Sequence, residues 1–122
     1  MIGRPDRQTA ARAERILERL DALFAIGRAA GTNRPGLGAG EQEAFDLVQR
    51  WMEQAGLHVT VDPAGNLQGR LKGSDATLAE VWSGSHLDTP PDGGRFDGAL
   101  GVVAAIDALE AIAATGGAVR TL

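Results

Sequence analysis

A chain of 122 residues, 43% of them hydrophobic and with a net charge of -4, is long enough for one modest domain and apolar enough to offset the entropy of ordering it. Its 12 Lys and Arg are interleaved with 16 Asp and Glu and Tyr is absent, so there is no basic stripe with aromatic platforms and no nucleic-acid partner is expected. Cysteine is absent too, which removes disulfides, thiolate ligands and sulfur redox chemistry, and leaves histidine nitrogen and carboxylate oxygen as metal donors.

The amino terminus, MIGRPDRQTAARAERIL, is charged from its fourth residue and has no unbroken apolar run ahead of a cleavage site. No secretory signal is read, and a cytoplasmic location is expected. Nor does any segment approach the roughly 20 apolar residues that cross a bilayer, so no membrane partner is expected. From about Arg7 to Ala29, Ile16, Leu17, Leu20, Leu23, Phe24 and Ile26 recur at helical spacing, ending at Gly27 and Gly31, which predicts an amphipathic helix. The Gly- and Pro-rich NRPGLGAG is a loop. A second helix follows from about Glu41 to Ala55, with Ala44, Phe45, Val48, Trp51, Met52 and Ala55 on its apolar face and Glu41 and Glu43 at its positive end. Gly56 and Leu57 have the form of a left-handed cap with its hydrophobic contact.

At Leu57 the period changes to two. Leu57, Val59 and Val61 alternate with His58, Thr60 and Asp62, the pattern of a strand wet on one side. A turn over residues 62–66 leads to a second short strand at Leu67, Gly69 and Leu71, and another turn to a third strand from about Leu78 to Ser85. A third helix, rich in Ala and Gly and able to lie close against a sheet, is predicted from about Gly98 to Ala114. Ala118 to Leu122 reads as the opening of another strand. Strands with helices between them make an α/β layered domain, and because a parallel strand needs neighbours on both sides, the sheet is expected to be incomplete and the chain an amino-terminal fragment.

The chemistry gathers in GSHLDTPPDGGRFDG, residues 84–98. In open α/β sheets, sites form where strands end and loops lead into helices. His86 follows the third strand directly, and Asp88, two residues on, is placed to accept a hydrogen bond from whichever imidazole nitrogen does not bind metal. Asp97 stands at the predicted amino-terminal cap of the third helix, where the dipole favours an ionised carboxylate. Each residue also has a plain structural role open to it: Asp97 as a cap, His86 as a hydrogen-bonded loop residue, Asp88 and Asp92 as turn formers. His58 is read as solvated, Asp107 and Glu110 as an exposed helix rim, Trp51 and Trp82 as packing residues.

Taken together, H-x-D at a strand end, a Gly-rich loop and Asp-Gly opening a small-residue helix resemble the first metal-binding segment of the dinuclear zinc aminoacylase and carboxypeptidase superfamily. Within it, residues 84–89 (GSHLDT) and 93–102 (GGRFDGALGV) look like the hydantoinase/carbamoylase branch, the N-carbamoyl-amino acid and allantoate amidohydrolases. Weaker similarity extends over residues 20–27, 51–57 and 62–67. The resemblance implies a partial three-layer α/β/α zinc-exopeptidase-like catalytic domain over residues 1–122, cut before its sheet is complete. It further implies His86 as a terminal metal ligand, Asp97 as the bridging ligand, Asp88 as the catalytic carboxylate supporting His86 and the metal pair, and a cis peptide after Asp97. Pro90 departs from the family, which more often has Val there. Around residues 33–38 only an arginine loosely matches, and no role is assigned to it.

The implied cofactor is a pair of divalent ions, zinc first, with manganese, cobalt or nickel as alternatives. The implied reaction is hydrolysis of a C–N bond in an N-carbamoyl amino acid or related ureido compound. Two zinc ions need more ligands than His86 and Asp97 provide, so the general base, further ligands and an inserted dimerisation domain are expected outside these residues, in a homodimeric whole protein acting on a small molecule. A peptidase or N-acyl amino acid deacylase of the same superfamily, or a non-catalytic α/β interaction module, are the alternatives.

Overall fold

The computed structural model describes residues 6–27 and 34–122. Its elements run α1 (Arg7–Ala25), α2 (Ala39–Gln54), β1 (His58–Val61), β2 (Leu67–Arg70) and α3 (Ala99–Ala114), which is an α/β chain as expected. The Asp6 carboxylate accepts from Thr9 N at 2.7 Å and so caps α1. At the other end α1 stops at Ala25, with Gly27 at positive φ; Ala29 and Gly31, placed near its end from the sequence, lie outside the described residues. α2 ends in the expected cap. Gly56 takes a φ of 77°, and the Leu57 amide donates to Met52 O at 3.0 Å while Leu57 itself is buried.

β1 and β2 form an antiparallel hairpin that pairs Val61 with Leu67 and His58 with Arg70. Asp62 closes the turn, its carboxylate accepting from the amides of Ala64 and Asn66 and from the Asn66 side chain. α2 lies against both strands and α1 against α3. Between them Leu20, Leu23, Val48, Val103 and Ile106 form a core that also takes in Leu87 from the loop carrying H-x-D.

Two groups of expectations are corrected here. The stretch from Leu78 to Ser85 is not a strand. A strand exists through a ladder to a neighbour, whereas this stretch meets the carboxy-terminal residues through one main-chain bond, Val81 N donating to Thr121 O at 3.1 Å, and a side-chain bond from Arg120 to Ala79 O, and leaves Trp82 63% exposed rather than packed. Residues 118–122 likewise form no strand; they run beside the segment after β2, with Leu71 and Leu122 exchanging main-chain bonds of 2.9 and 3.0 Å.

The second concerns α3. Asp107 is not on an exposed rim: it is 2% exposed and pairs with Arg12 Nη2 at 2.6 Å and Arg15 Nη2 at 2.7 Å, while Glu110 takes Arg19 in a two-pronged bond. Arg19 also stands over the Trp51 ring at 5.4 Å. The long arginine side chains of α1 reach across to α3, so carboxylates that look exposed on a helical wheel are covered.

Burial by itself would raise the Asp107 pKa, but the hydrogen bonds from Arg12 and Arg15 outweigh it and hold the carboxyl below the usual carboxylate range. A carboxyl depressed on folding adds stability above its unfolded pKa of about 3.9 and loses it as the pH falls through the folded value. Asp107→Asn is therefore expected to cost on the order of 1–3 kcal/mol at neutral pH and to flatten the acid limb of stability. Urea unfolding between pH 3 and 7 measures both, and an acid limb as steep in the variant as in the parent would contradict the pairing.

Candidate metal-binding site

The loop from Ser85 to Gly98 is shaped by what lies on either side of it. Leu87 and Thr89 point inward and are buried, so the alternate residues His86 and Asp88 turn toward solvent, and both side chains are about half exposed. Residues 90–94 make the expected turn: Gly93 N donates to Pro90 O at 3.0 Å, and Asp92 takes a positive φ of 62°. Arg95 then reaches back to Asp21 on α1 at 2.6 Å while covering the Phe96 ring at 4.8 Å. This anchors the loop's return just before Asp97.

His86 Nδ1 lies 2.8 Å from the main-chain oxygen of Asp88 and 3.1 Å from its carboxylate. Both are acceptors, so the proton of the neutral ring is on Nδ1 and the lone pair is on Nε2. That lone pair faces Asp97, whose Oδ1 is 3.6 Å from Nε2. Asp88 thus supports His86 as expected, with its backbone carbonyl as the nearer acceptor.

Asp97 does not cap the helix. The cap residue of α3 is Gly98, at φ 71°, and no side chain bonds into the first turn. The carboxylate of Asp97 is turned toward the imidazole instead. The peptide after Asp97, implied to be cis, is trans, as are all those among the described residues. A cis bond before a non-proline residue costs about 2.5–4 kcal/mol, and here the chain turns through positive φ at Gly98 instead.

That glycine is required twice. A β-carbon on it would sit 2.6 Å from Cε1 and Nδ1 of the His86 ring and closer still to His86 O, and a side chain is disfavoured at this φ in any case. The amino terminus of α3 therefore packs directly on the imidazole. One turn on, a β-carbon at Gly101 would lie 2.7 Å from the β-carbon of Ser85, so the small residues of α3 let the helix approach the irregular segment before His86, where a strand was expected.

Zinc binds imidazole nitrogen at about 2.0–2.1 Å and carboxylate oxygen at about 2.0–2.2 Å, so two such ligands at a tetrahedral angle stand about 3.4 Å apart. The 3.6 Å between His86 Nε2 and Asp97 Oδ1 fits one ion between them. Among the described residues no third His, Asp or Glu completes the set. His58, read as solvated, is exposed on β1.

The residue that the sequence left without a role is Arg34. It is 3% exposed and donates to Leu87 O from Nε at 2.9 Å, while Arg34 and Thr89 pair through their main chains, Thr89 N to Arg34 O at 2.8 Å. An arginine in a Gly-Pro loop carries no signal of burial, so periodicity could not have found it.

The acceptor bond from Asp88 O raises the His86 pKa most; burial opposes it, and the carboxylates of Asp88 and Asp97 add to the rise. A ring whose pKa rises on folding adds stability below its unfolded value of about 6.5 and loses it as the pH climbs through the folded value. In the metal-free protein, Asp97→Asn is expected to lower the His86 midpoint in an NMR titration, and an unmoved midpoint would mean that the carboxylate does not face the ring. Gly98→Ala is expected to cost more than about 2 kcal/mol and to displace the ring, read from the same spectra.

Compared with known proteins, no family model matches the chain. Among curated proteins it is 43% identical over 101 residues to an N-carbamoyl-L-amino-acid amidohydrolase of Pseudomonas sp. (strain NS671), covering 81% of this chain and 24% of that protein. It is 40% identical over 104 residues to allantoate deiminase 2 of Glycine max, covering 84% and 22%. Among solved structures it superposes with a TM-score of 0.82 on a hydantoinase/carbamoylase family amidase from Burkholderia ambifaria, at 38% identity, covering 89% of this chain and 28% of that one. The chain thus spans about a quarter of the length of the proteins it matches.

Proposed function

The chain belongs to the hydantoinase/carbamoylase family, and from that premise we propose that the whole protein is a metal-dependent amidohydrolase cleaving a C–N bond of an N-carbamoyl amino acid or related ureido compound. The observation that carries the reading is the His86–Asp97 pair: a ring nitrogen freed of its proton by the Asp88 carbonyl and a carboxylate 3.6 Å away that is spent on no helix cap.

With metal bound, His86 would hold it through Nε2 as a terminal ligand and Asp97 would supply the carboxylate that two ions could share, while Asp88 keeps the ring oriented and in its Nδ1–H tautomer. Divalent ions, zinc first, supply polarisation of the scissile carbonyl and a water of lowered pKa when bound. The general base and remaining ligands are assigned to segments other than these 122 residues, which form the amino-terminal part of the catalytic domain. An inserted dimerisation domain, a homodimer, a small-molecule substrate and a cytoplasmic setting complete the reading. Among the described residues no helix is long and apolar enough to cross a membrane.

Hydrolysis of an N-carbamoyl amino acid consumes one water to give the free amino acid and a carbamic acid, which breaks down to ammonia and carbon dioxide. The whole protein, loaded with zinc, is expected to release ammonia from such a substrate. His86→Ala is expected to lose metal and to reduce the rate by more than about 100-fold, beyond the 10- to 100-fold typical of a group that only orients a ligand; Asp88→Asn is expected to fall inside that range. Metal analysis and ammonia release read the two effects. An unchanged zinc content and rate in His86→Ala would reject the assignment.

A further inference from the structure

We propose that Arg34 is a positioning residue for the candidate metal site, tying the loop that carries Asp88 to the end of α1 so that the Asp88 carbonyl is presented to His86 Nδ1. Its guanidinium spans two main-chain oxygens from separate elements, Leu87 O from Nε at 2.9 Å and Leu23 O from Nη1 at 2.6 Å. Its own amide donates to Thr89 Oγ1 at 2.9 Å, and its carbonyl accepts from Thr89 N at 2.8 Å. Asp88 is therefore bracketed: residue 87 is held by the side chain of Arg34 and residue 89 by its main chain.

Filling space would not need a charge at this place. Burying a guanidinium is costly, and burial pushes its pKa down, opposed by the nearby Asp88 carboxylate. What a planar fork does that an apolar side chain cannot is hold two acceptors at a set separation. Leu23 O lies in the last turn of α1, at the negative end of the helix dipole, and already accepts from Ile26 N at 3.2 Å. No basic residue of α1 itself occupies that turn. Arg34 adds a second, charged donor to Leu23 O from outside the helix and so links the helix end to the loop.

The proposal rests on His86 being a metal ligand only for its effect on affinity; its effect on the ring stands apart. Two measurements on the whole protein separate them. In the zinc-free protein, at a pH above the measured His86 midpoint, 15N shifts of the imidazole report the tautomer: wild type is expected to show Nδ1–H, Arg34→Met a mixture, and Arg34→Lys an intermediate state. In zinc titrations Arg34→Met is expected to bind about 10- to 100-fold more weakly. Arg15→Gln, which weakens the distant pairing with Asp107, is the control for general destabilisation and is expected to leave the tautomer unchanged.

If Arg34→Met does not fold, Thr89→Val, which removes the hydroxyl acceptor, is expected to move the tautomer in the same direction. A tautomer unchanged in Arg34→Met, or in Thr89→Val where that variant stands in for it, would overturn the proposal, as would an equal change in Arg15→Gln. A wild type that holds Nδ1–H and takes up no zinc would instead reject the metal reading of the site and leave the role of Arg34 to the tautomer measurement.

Discussion

The site depends on the bond between His86 Nδ1–H and the main-chain oxygen of Asp88. An imidazole can offer only one lone pair when neutral, and which nitrogen carries it is decided by the partner of the other. A carbonyl two residues ahead in the same loop makes that choice locally. It turns Nε2 toward Asp97.

A local bond of this kind is only as definite as the loop that makes it. Here the loop is fixed from beneath and from the front. Beneath, Leu87 joins the apolar core, and Arg34 and Thr89 close the main chain on either side of Asp88. In front, α3 begins against the ring, at a distance that only a residue without a β-carbon permits. The same close approach carries Asp97 past the imidazole, so the helix start that in many folds binds its own cap here brings up a carboxylate that it does not use.

The arginine-rich face of α1 has a separate task. Arg12, Arg15 and Arg19 neutralise Asp107 and Glu110 on α3, which clamps the two helices together at the end remote from the loop. Arg34 differs from these three in meeting neutral carbonyls instead of carboxylates. That arrangement orients main chain where an ion pair would mainly neutralise charge.

Much of this was legible in the residues. Helical periodicity located α1 and α2 to within a few positions, alternation located the hairpin, and Gly56 marked a helix end, because each depends on contacts between near neighbours in the chain. The H-x-D spacing likewise foretold that Asp88 serves His86, since two residues in an extended loop are in reach of each other. What tertiary structure alone decided were matters of approach between distant segments: that Leu78–Ser85 forms no ladder, that Asp107 is covered by arginines 92 and 95 residues away, that Asp97 leaves its helix uncapped, and that a lone arginine in a Gly-Pro loop is buried under the site. Local pattern carries the period of an element and the chemistry of its side chains; it carries no record of which distant group arrives to pair with them, and at this site that arrival decides how firmly the loop around Asp88 is held and that the Asp97 carboxylate is left facing the ring.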